Sequence, residues 1–218
     1  MQVDVWSDVV CPWCYIGKRR FEAALARFEH RDQVEVVFHS FELDPQAQPA
    51  PAGSGVDRLA AKYGMTREQA VEKHAQLARL AQDNGIEMRF DLAQPSNTFD
   101  AHRLLHLARL DGVQSALKER LFRAYFSEGQ SLSDRPTLAR LASDVGLDAS
   151  EVLSTDAYSQ EVRFDEQQAA SLGINGVPFF VLGGRYGVSG AQPADLLLNA
   201  LERTWQDTAA PAGEVVHD

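Results

Sequence analysis

Val3-Asp4-Val5-Trp6-Ser7-Asp8-Val9-Val10-Cys11-Pro12-Trp13-Cys14 is the stretch on which the reading of this chain turns. Residues 2–6 read as a largely buried strand, and Ser7-Asp8 as a turn after it. A helical pattern follows over 13–29, with Ile16, Phe21, Leu25 and Phe28 on one face. Cys11 and Cys14 are the only cysteines in 218 residues. A strand, then C-x-x-C, then a helix is the layout of a thiol–disulfide exchange site. The unpaired N–H groups and the dipole of a helix N-terminus stabilise negative charge. A thiolate held there forms nearer neutral pH and is a better nucleophile and leaving group. Pro12 suits the first turn, where its missing N–H costs nothing. The spacing predicts an exposed, attacking thiol at Cys11 and a buried thiol at Cys14, close enough to resolve a mixed disulfide on Cys11.

Other uses of two cysteines fit less well. A structural disulfide across so short a loop restrains the unfolded chain little, and a reducing compartment disfavours it. Zinc needs two further ligands. His102 and His106, spaced i, i+4, are the residues that could supply them.

Outward from this stretch, residues 34–41 are β-branched and aromatic and read as a second strand. Strand, helix and strand at this spacing make a right-handed βαβ unit with parallel strands. Residues 44–55, rich in Pro, Ala and Gly, read as a loop or hinge. Thr66-Arg67-Glu68-Gln69 is a capping box for a helix running to Asp83, with Gly85 as its stop. Residues 86–92 read as irregular. A helix capped by Asn97 runs from Thr98 to Leu110, and 113–127, 135–145 and 149–155 are further helices. Then come a helix at 158–172, a strand at 179–182, the Gly183-Gly184 hairpin signal and a returning strand at 186–189. A last helix starts at Gln192-Pro193 and ends near Trp205; residues 208–218 read as a frayed tail. The outer parts, 1–55 and 156–207, are thus expected to form an α/β thioredoxin-like domain of strand order 2-1-3-4 with its third strand antiparallel. Residues 56–155 are expected to be an inserted all-helical domain.

Composition narrows the function. Apolar residues are 44% and charged residues 24%, as in a soluble globular protein. A formal net charge of −10 argues against nucleic acid as a partner. Neither a basic-then-apolar leader nor an apolar stretch able to span a bilayer is visible, so no membrane partner and a cytoplasmic location are expected.

Four separated motifs carry a family resemblance: Cys11-Pro12-Trp13-Cys14 with its upstream Ser7-Asp8, residues 97–104 (Asn-Thr-Phe-Asp-Ala-His-Arg-Leu), Gly176-Val177-Pro178-Phe179-Phe180, and residues 188–193 (Val-Ser-Gly-Ala-Gln-Pro). Together the chain resembles the DsbA-like thioredoxin-fold oxidoreductases of the FrnE type, over nearly its whole length. The resemblance implies a cis Val177-Pro178 bond packed beside Cys11, with Pro178 joining Cys11 and Cys14 in the catalytic set. Pro12, Trp13 and Val177 are expected to contact substrate. Asn97, His102 and Arg103 are candidates for the same cleft, although Asn97 serves equally as a helix cap and His102 as a core histidine. His39 reads as structural. The same superfamily contains 2-hydroxychromene-2-carboxylate isomerases and kappa-class glutathione transferases, which typically carry Ser where Cys11 stands.

The activity implied is that of a protein disulfide oxidoreductase or isomerase acting on protein or small-molecule thiols and disulfides. Its only cofactor would be the reversible Cys11–Cys14 disulfide, with no metal and no nucleotide; a low-molecular-weight thiol remains open as co-substrate. Oligomeric state stays open, a homodimer included. Two alternatives stand beside this one: a thiol-dependent isomerase or transferase acting on a small aromatic or polyketide-like molecule, and a redox-regulated binding protein.

Overall fold

The structure, a computed structural model, describes residues 1–47 and 55–209. Strand β1 (Gln2–Ser7) leads into helix α1 (Pro12–Arg27) and then strand β2 (Glu35–Ser40). Six helices follow: α2 (Gly55–Tyr63), α3 (Arg67–Gln82), α4 (Phe99–Leu110), α5 (Gln114–Phe126), α6 (Arg135–Ser143) and α7 (Ser150–Ser154). Helix α8 (Ser159–Ser171), strands β3 (Phe179–Leu182) and β4 (Tyr186–Ser189), and helix α9 (Ala194–Ala209) complete the described chain.

The sheet order is β2-β1-β3-β4, with β1 parallel to β2 and antiparallel to β3, as the sequence predicts. Alternation along β1 sends Val3 and Val5 to one face and Asp4 and Trp6 to the other, because strand side chains have a period of two. On the first face Val3, Val5, Phe38, Phe180 and Leu182 pack with Phe21 and Ala24 of α1 and Leu197 and Leu201 of α9. On the second face Trp6 packs with Ala169 of α8 and with Ile174. Helices α4–α7 bury a core of their own, including Leu104, Leu117, Leu121, Leu138 and Leu141, and Val9 joins it.

Local chemistry accounts for the helix ends. Thr66 Oγ1 accepts the Gln69 N–H at 3.2 Å and Gln69 Oε1 accepts the Thr66 N–H at 2.9 Å, so the predicted capping box is formed. At α4 the side chain of Thr98 makes no cap bond; Asn97 Oδ1 accepts the Phe99 N–H instead, at 3.1 Å. Helix α9 runs on past Trp205 to Ala209. The Tyr186 hydroxyl bonds the Asp207 carboxylate and Arg185 donates to the Asp207 carbonyl, so the β3–β4 hairpin holds the extra turn. Of the predicted 44–55 loop, residues 48–54 lie outside the described residues, as do 210–218 of the predicted tail.

Two buried polar clusters tie the elements together. His39 on β2 stacks on Trp6 and bonds Asp4 and Asp165 at 2.8 Å each. Burial works against a charged ring there, but the bonds to Asp165 and Asp4 and their charges outweigh it and push His39 up to about 9. An imidazole raised from the ordinary value of about 6.5 contributes its full stability below that value and loses it as pH rises through the folded one. We therefore expect the gap in unfolding free energy between wild type and His39→Gln to be on the order of 3 kcal/mol larger at pH 6 than at pH 9.5. Urea titrations at both values measure it, and an equal gap would show that the ion pairs are not its source.

Arg103 is the second tie. Its buried guanidinium donates to the carbonyls of Val152, Thr155 and Ala157 at 2.6–2.8 Å and to Asp100 at 2.7 Å. It clamps α4 to the α7–α8 connection, so it faces no cleft; the sequence expectation for Arg103 is corrected accordingly.

Candidate active site

Helix α1 begins at the dithiol. Cys11 is its N-cap residue in an extended conformation, Pro12 fills the first helical position, and the Cys11 carbonyl accepts the N–H groups of Cys14 and Tyr15. Both cysteines are free thiols. Cys14 is 2% exposed, as expected of the inner position, and burial together with its hydrogen bond to Cys11 pushes this thiol well above its ordinary range. Cys11 departs from expectation, being only 4% exposed. The segment before β3 lies over it, and its Sγ approaches the Val177 carbonyl oxygen at 3.6 Å. Trp13, between the two, is 45% exposed and stands at the rim.

The Val177-Pro178 bond is cis and Pro178 is buried. The proline packs so closely on α1 that a Cβ at Gly17 would sit 2.8 Å from Pro178 Cγ. Only glycine at position 17 lets the helix and the proline ring approach to this distance. The Pro178 carbonyl accepts the Gly190 N–H at 2.8 Å, and Arg20 of α1 donates to the Ala191 carbonyl at 2.7 Å. Two loops are thereby fastened around the helix start.

Beneath the sulfurs lies a charged layer that the sequence reading did not assemble. Asp8 is fully buried; its Oδ2 accepts the Leu43 N–H at 2.8 Å and its Oδ1 pairs with His102 Nε2 at 3.2 Å. Burial disfavours both charges, yet the hydrogen bonds keep the Asp8 carboxyl below its usual range, while burial lowers His102. The consistent assignment is a carboxylate accepting from the Nε2–H of a neutral imidazole. Lys118 of α5 is fully buried too, its Nζ donating to the Ser7 carbonyl at 3.2 Å and lying 5.5 Å from the Phe122 ring centroid. Burial lowers its ammonium to about 8. Phe122 shares a cluster with Cys11, Cys14, Tyr15 and Ile16, to which Ala81, Ile86 and Met88 contribute from beyond β2. The one signal for Lys118 in the sequence is its place on the apolar stripe of α5, among Leu117, Leu121 and Phe122.

Residues 2–202 match the DSBA-like thioredoxin domain family. The chain belongs to that family. A crystal structure of a probable DsbA oxidoreductase, SCO1869 from Streptomyces coelicolor, superposes on this DSBA-like chain with a TM-score of 0.91 at 47% identity, covering 98% of this chain and 93% of that one. The Bacillus subtilis (strain 168) protein YwbO, described as uncharacterized, is 30% identical over 206 residues, 92% of this chain and 96% of its own. The cytosolic disulfide reductase DsbM from Pseudomonas aeruginosa with GSH shares the fold at 22% identity and a TM-score of 0.65, covering 94% of this chain and 100% of that one.

Within this DSBA-like fold the sequence candidates fall into two groups. Cys11, Pro12, Trp13, Cys14, Val177 and Pro178 converge at the start of α1. The other two do not join them at the surface. His102, a candidate for substrate contact, is 0% exposed and bonded to Asp8, so it sits under the dithiol instead of beside a ligand. Asn97 spends its side chain on the Phe99 N–H and the Pro45 carbonyl, fastening the 41–47 segment to α4. His106 bonds Ser40 and Asp165, away from the cysteines. Among the described residues no group of three or more His, Cys, Asp and Glu is set to hold a metal ion, and no helix is long and apolar enough to cross a membrane.

Proposed function

We propose that this DSBA-like protein is a thiol–disulfide oxidoreductase whose Cys11 and Cys14 exchange electrons with protein or small-molecule disulfides. The observation that carries the reading is the pairing of two free thiols on one helical turn, with Cys14 held protonated by burial and Cys11 at the helix N-cap under the Val177 carbonyl. In the reducing direction the Cys11 thiolate attacks a substrate disulfide and expels one substrate thiolate. Cys14 then loses its proton and attacks Cys11 Sγ, expelling the second. Two electrons leave the dithiol and the Cys11–Cys14 disulfide forms; oxidation of a substrate runs the same steps backwards. Pro178 and Val177 present backbone beside the sulfur to orient the incoming chain, and exposed Trp13 and Pro12 contact it at the rim.

The reversible disulfide is the only cofactor this scheme needs. A low-molecular-weight thiol such as glutathione restores the dithiol, a choice favoured by the shared fold with DsbM, whose structure was solved with GSH. We assign the protein to the cytoplasm and residues 56–155 to a helical insertion that packs beneath the dithiol. The isomerase or transferase alternative needs one reactive group at position 11 and gives Cys14 nothing to do.

Insulin reduction and the refolding of scrambled ribonuclease, each in a glutathione buffer, test the proposal. Turnover in at least one is expected, and Cys11→Ser is expected to abolish it. Folded wild type with both thiols titratable but no turnover on either substrate, and none with oxidised glutathione, would remove the oxidoreductase reading.

A further inference from the structure

Glycine is among the least favourable residues inside a helix, and alanine is the most favourable. Gly17 is buried in the interior of α1, and its φ lies outside the left-handed region that favours glycine. The helix itself therefore gives no reason for glycine at this position. The reason lies across the packing gap. A Cβ at position 17 would stand 2.8 Å from Pro178 Cγ and 3.5 Å from both Pro178 Cβ and Ala191 Cβ. Ordinary carbon–carbon contact begins at about 3.5 Å, so alanine there would drive the proline back by roughly 0.7 Å.

The pyrrolidine ring closes on the nitrogen of the Val177–Pro178 peptide group. A retreat of the ring is thereby passed to the carbonyl of the same group, to which the Cys11 thiol donates at 3.6 Å. The neighbouring loop is tied in as well. The Pro178 carbonyl accepts the Gly190 N–H at 2.8 Å, and Arg20, one turn on from Gly17, donates to the Ala191 carbonyl at 2.7 Å. A Cys11 thiolate has no proton to give the Val177 carbonyl, and a reaction partner must reach the sulfur past it. How closely α1 and the proline approach thus governs what reaches Cys11.

Resting on the oxidoreductase reading above, we propose that Gly17 is a positioning residue that sets substrate preference. By letting Pro178 close on α1 it seats the Val177 carbonyl against Cys11. That placement holds small disulfides off the sulfur and keeps the backbone of residues 177–178 in register for an extended peptide chain. The exchange steps themselves are those given above.

The test reads Cys11 directly. In the full chain, Gly17→Ala is expected to raise the rate of N-ethylmaleimide addition at Cys11 at least fivefold, with no change at Cys14. Mapping by mass separates the two positions. A merely structural role would loosen the whole domain and speed both cysteines together. Gly17→Ala is also expected to raise KM for insulin at least threefold and to speed exchange with oxidised glutathione, so the preference for insulin over glutathione falls about tenfold. A Cys11 rate within twofold of wild type in folded Gly17→Ala would mean that ring pucker absorbs the methyl, and would overturn the proposal. An equal gain at Cys14, or an unchanged preference between the two substrates, would overturn it as well. If Gly17→Ala does not fold, Arg20→Gln, which frees the Ala191 carbonyl from α1, is expected to speed Cys11 alone at least threefold; a rate within twofold of wild type there would overturn it. Since alkylation needs no turnover, a gain at Cys11 without exchange on any disulfide would sustain the seating by Gly17 while removing the oxidoreductase reading, and turnover with unchanged alkylation would do the reverse.

Discussion

Cys14→Ser is expected to stop on its substrate. Cys14 lies a turn inside α1, 2% exposed, next to Cys11 and with no third thiol in the sequence to replace it. Once Cys11 has taken a substrate sulfur, intramolecular attack by Cys14 is the only internal route to release. With serine in its place, turnover should fall by at least 100-fold while a covalent complex through Cys11 accumulates, since intramolecular attack by a positioned group is worth far more than attack by dilute external thiol. Non-reducing gels and intact mass detect the complex; dithiothreitol should release it. Cys11→Ser should lose both turnover and complex. Full activity of Cys14→Ser on a small aromatic substrate, with no disulfide exchange by wild type, would instead establish isomerase or transferase chemistry.

Arg103→Met is expected to produce the largest loss of stability. The guanidinium satisfies three carbonyls, of Val152, Thr155 and Ala157, and pairs with Asp100 at 2.7 Å. Methionine fills the space and satisfies none of these groups. Removing one partner of a buried charged network costs about 3–5 kcal/mol, equivalent to a fall in melting temperature of roughly 10 °C for a chain of this size. Arg103→Lys should recover little, because one ammonium cannot reach three carbonyls and a carboxylate in the fork geometry that arginine presents. Urea or thermal unfolding decides it, and a loss below about 1 kcal/mol would mean the carbonyls find other donors.

The fold was legible because its signals are local. Alternation in β1, the Thr66–Gln69 box, Gly183-Gly184 and the four family motifs each depend on residues close in sequence, and the strand order follows from them. The surface part of the site was legible for the same reason. The layer under it was not. Asp8, His102 and Lys118 are far apart in the chain and meet only through packing; Lys118 and Ser7 are 111 positions apart. Cys11 looked exposed because a helix N-terminus usually is; tertiary packing, the Val177 carbonyl included, covers it. Asn97 and His102 share a motif yet diverge in role, since the first is in a loop and the second is one turn inside α4.

The shielding of Cys11 by Val177 has a consequence for how the chain is made. A ribosome releases Val177 163 residues after Cys14. At about 5–20 residues per second, the thiols spend roughly ten to thirty seconds in the nascent chain before the Val177 carbonyl can lie over Cys11. In that interval they are ordinary cysteines, open to adducts that the finished protein resists. Reactivity toward bulky alkylating agents should therefore drop once β3 closes against β1, and a stalled chain lacking β3 should be labelled at both positions.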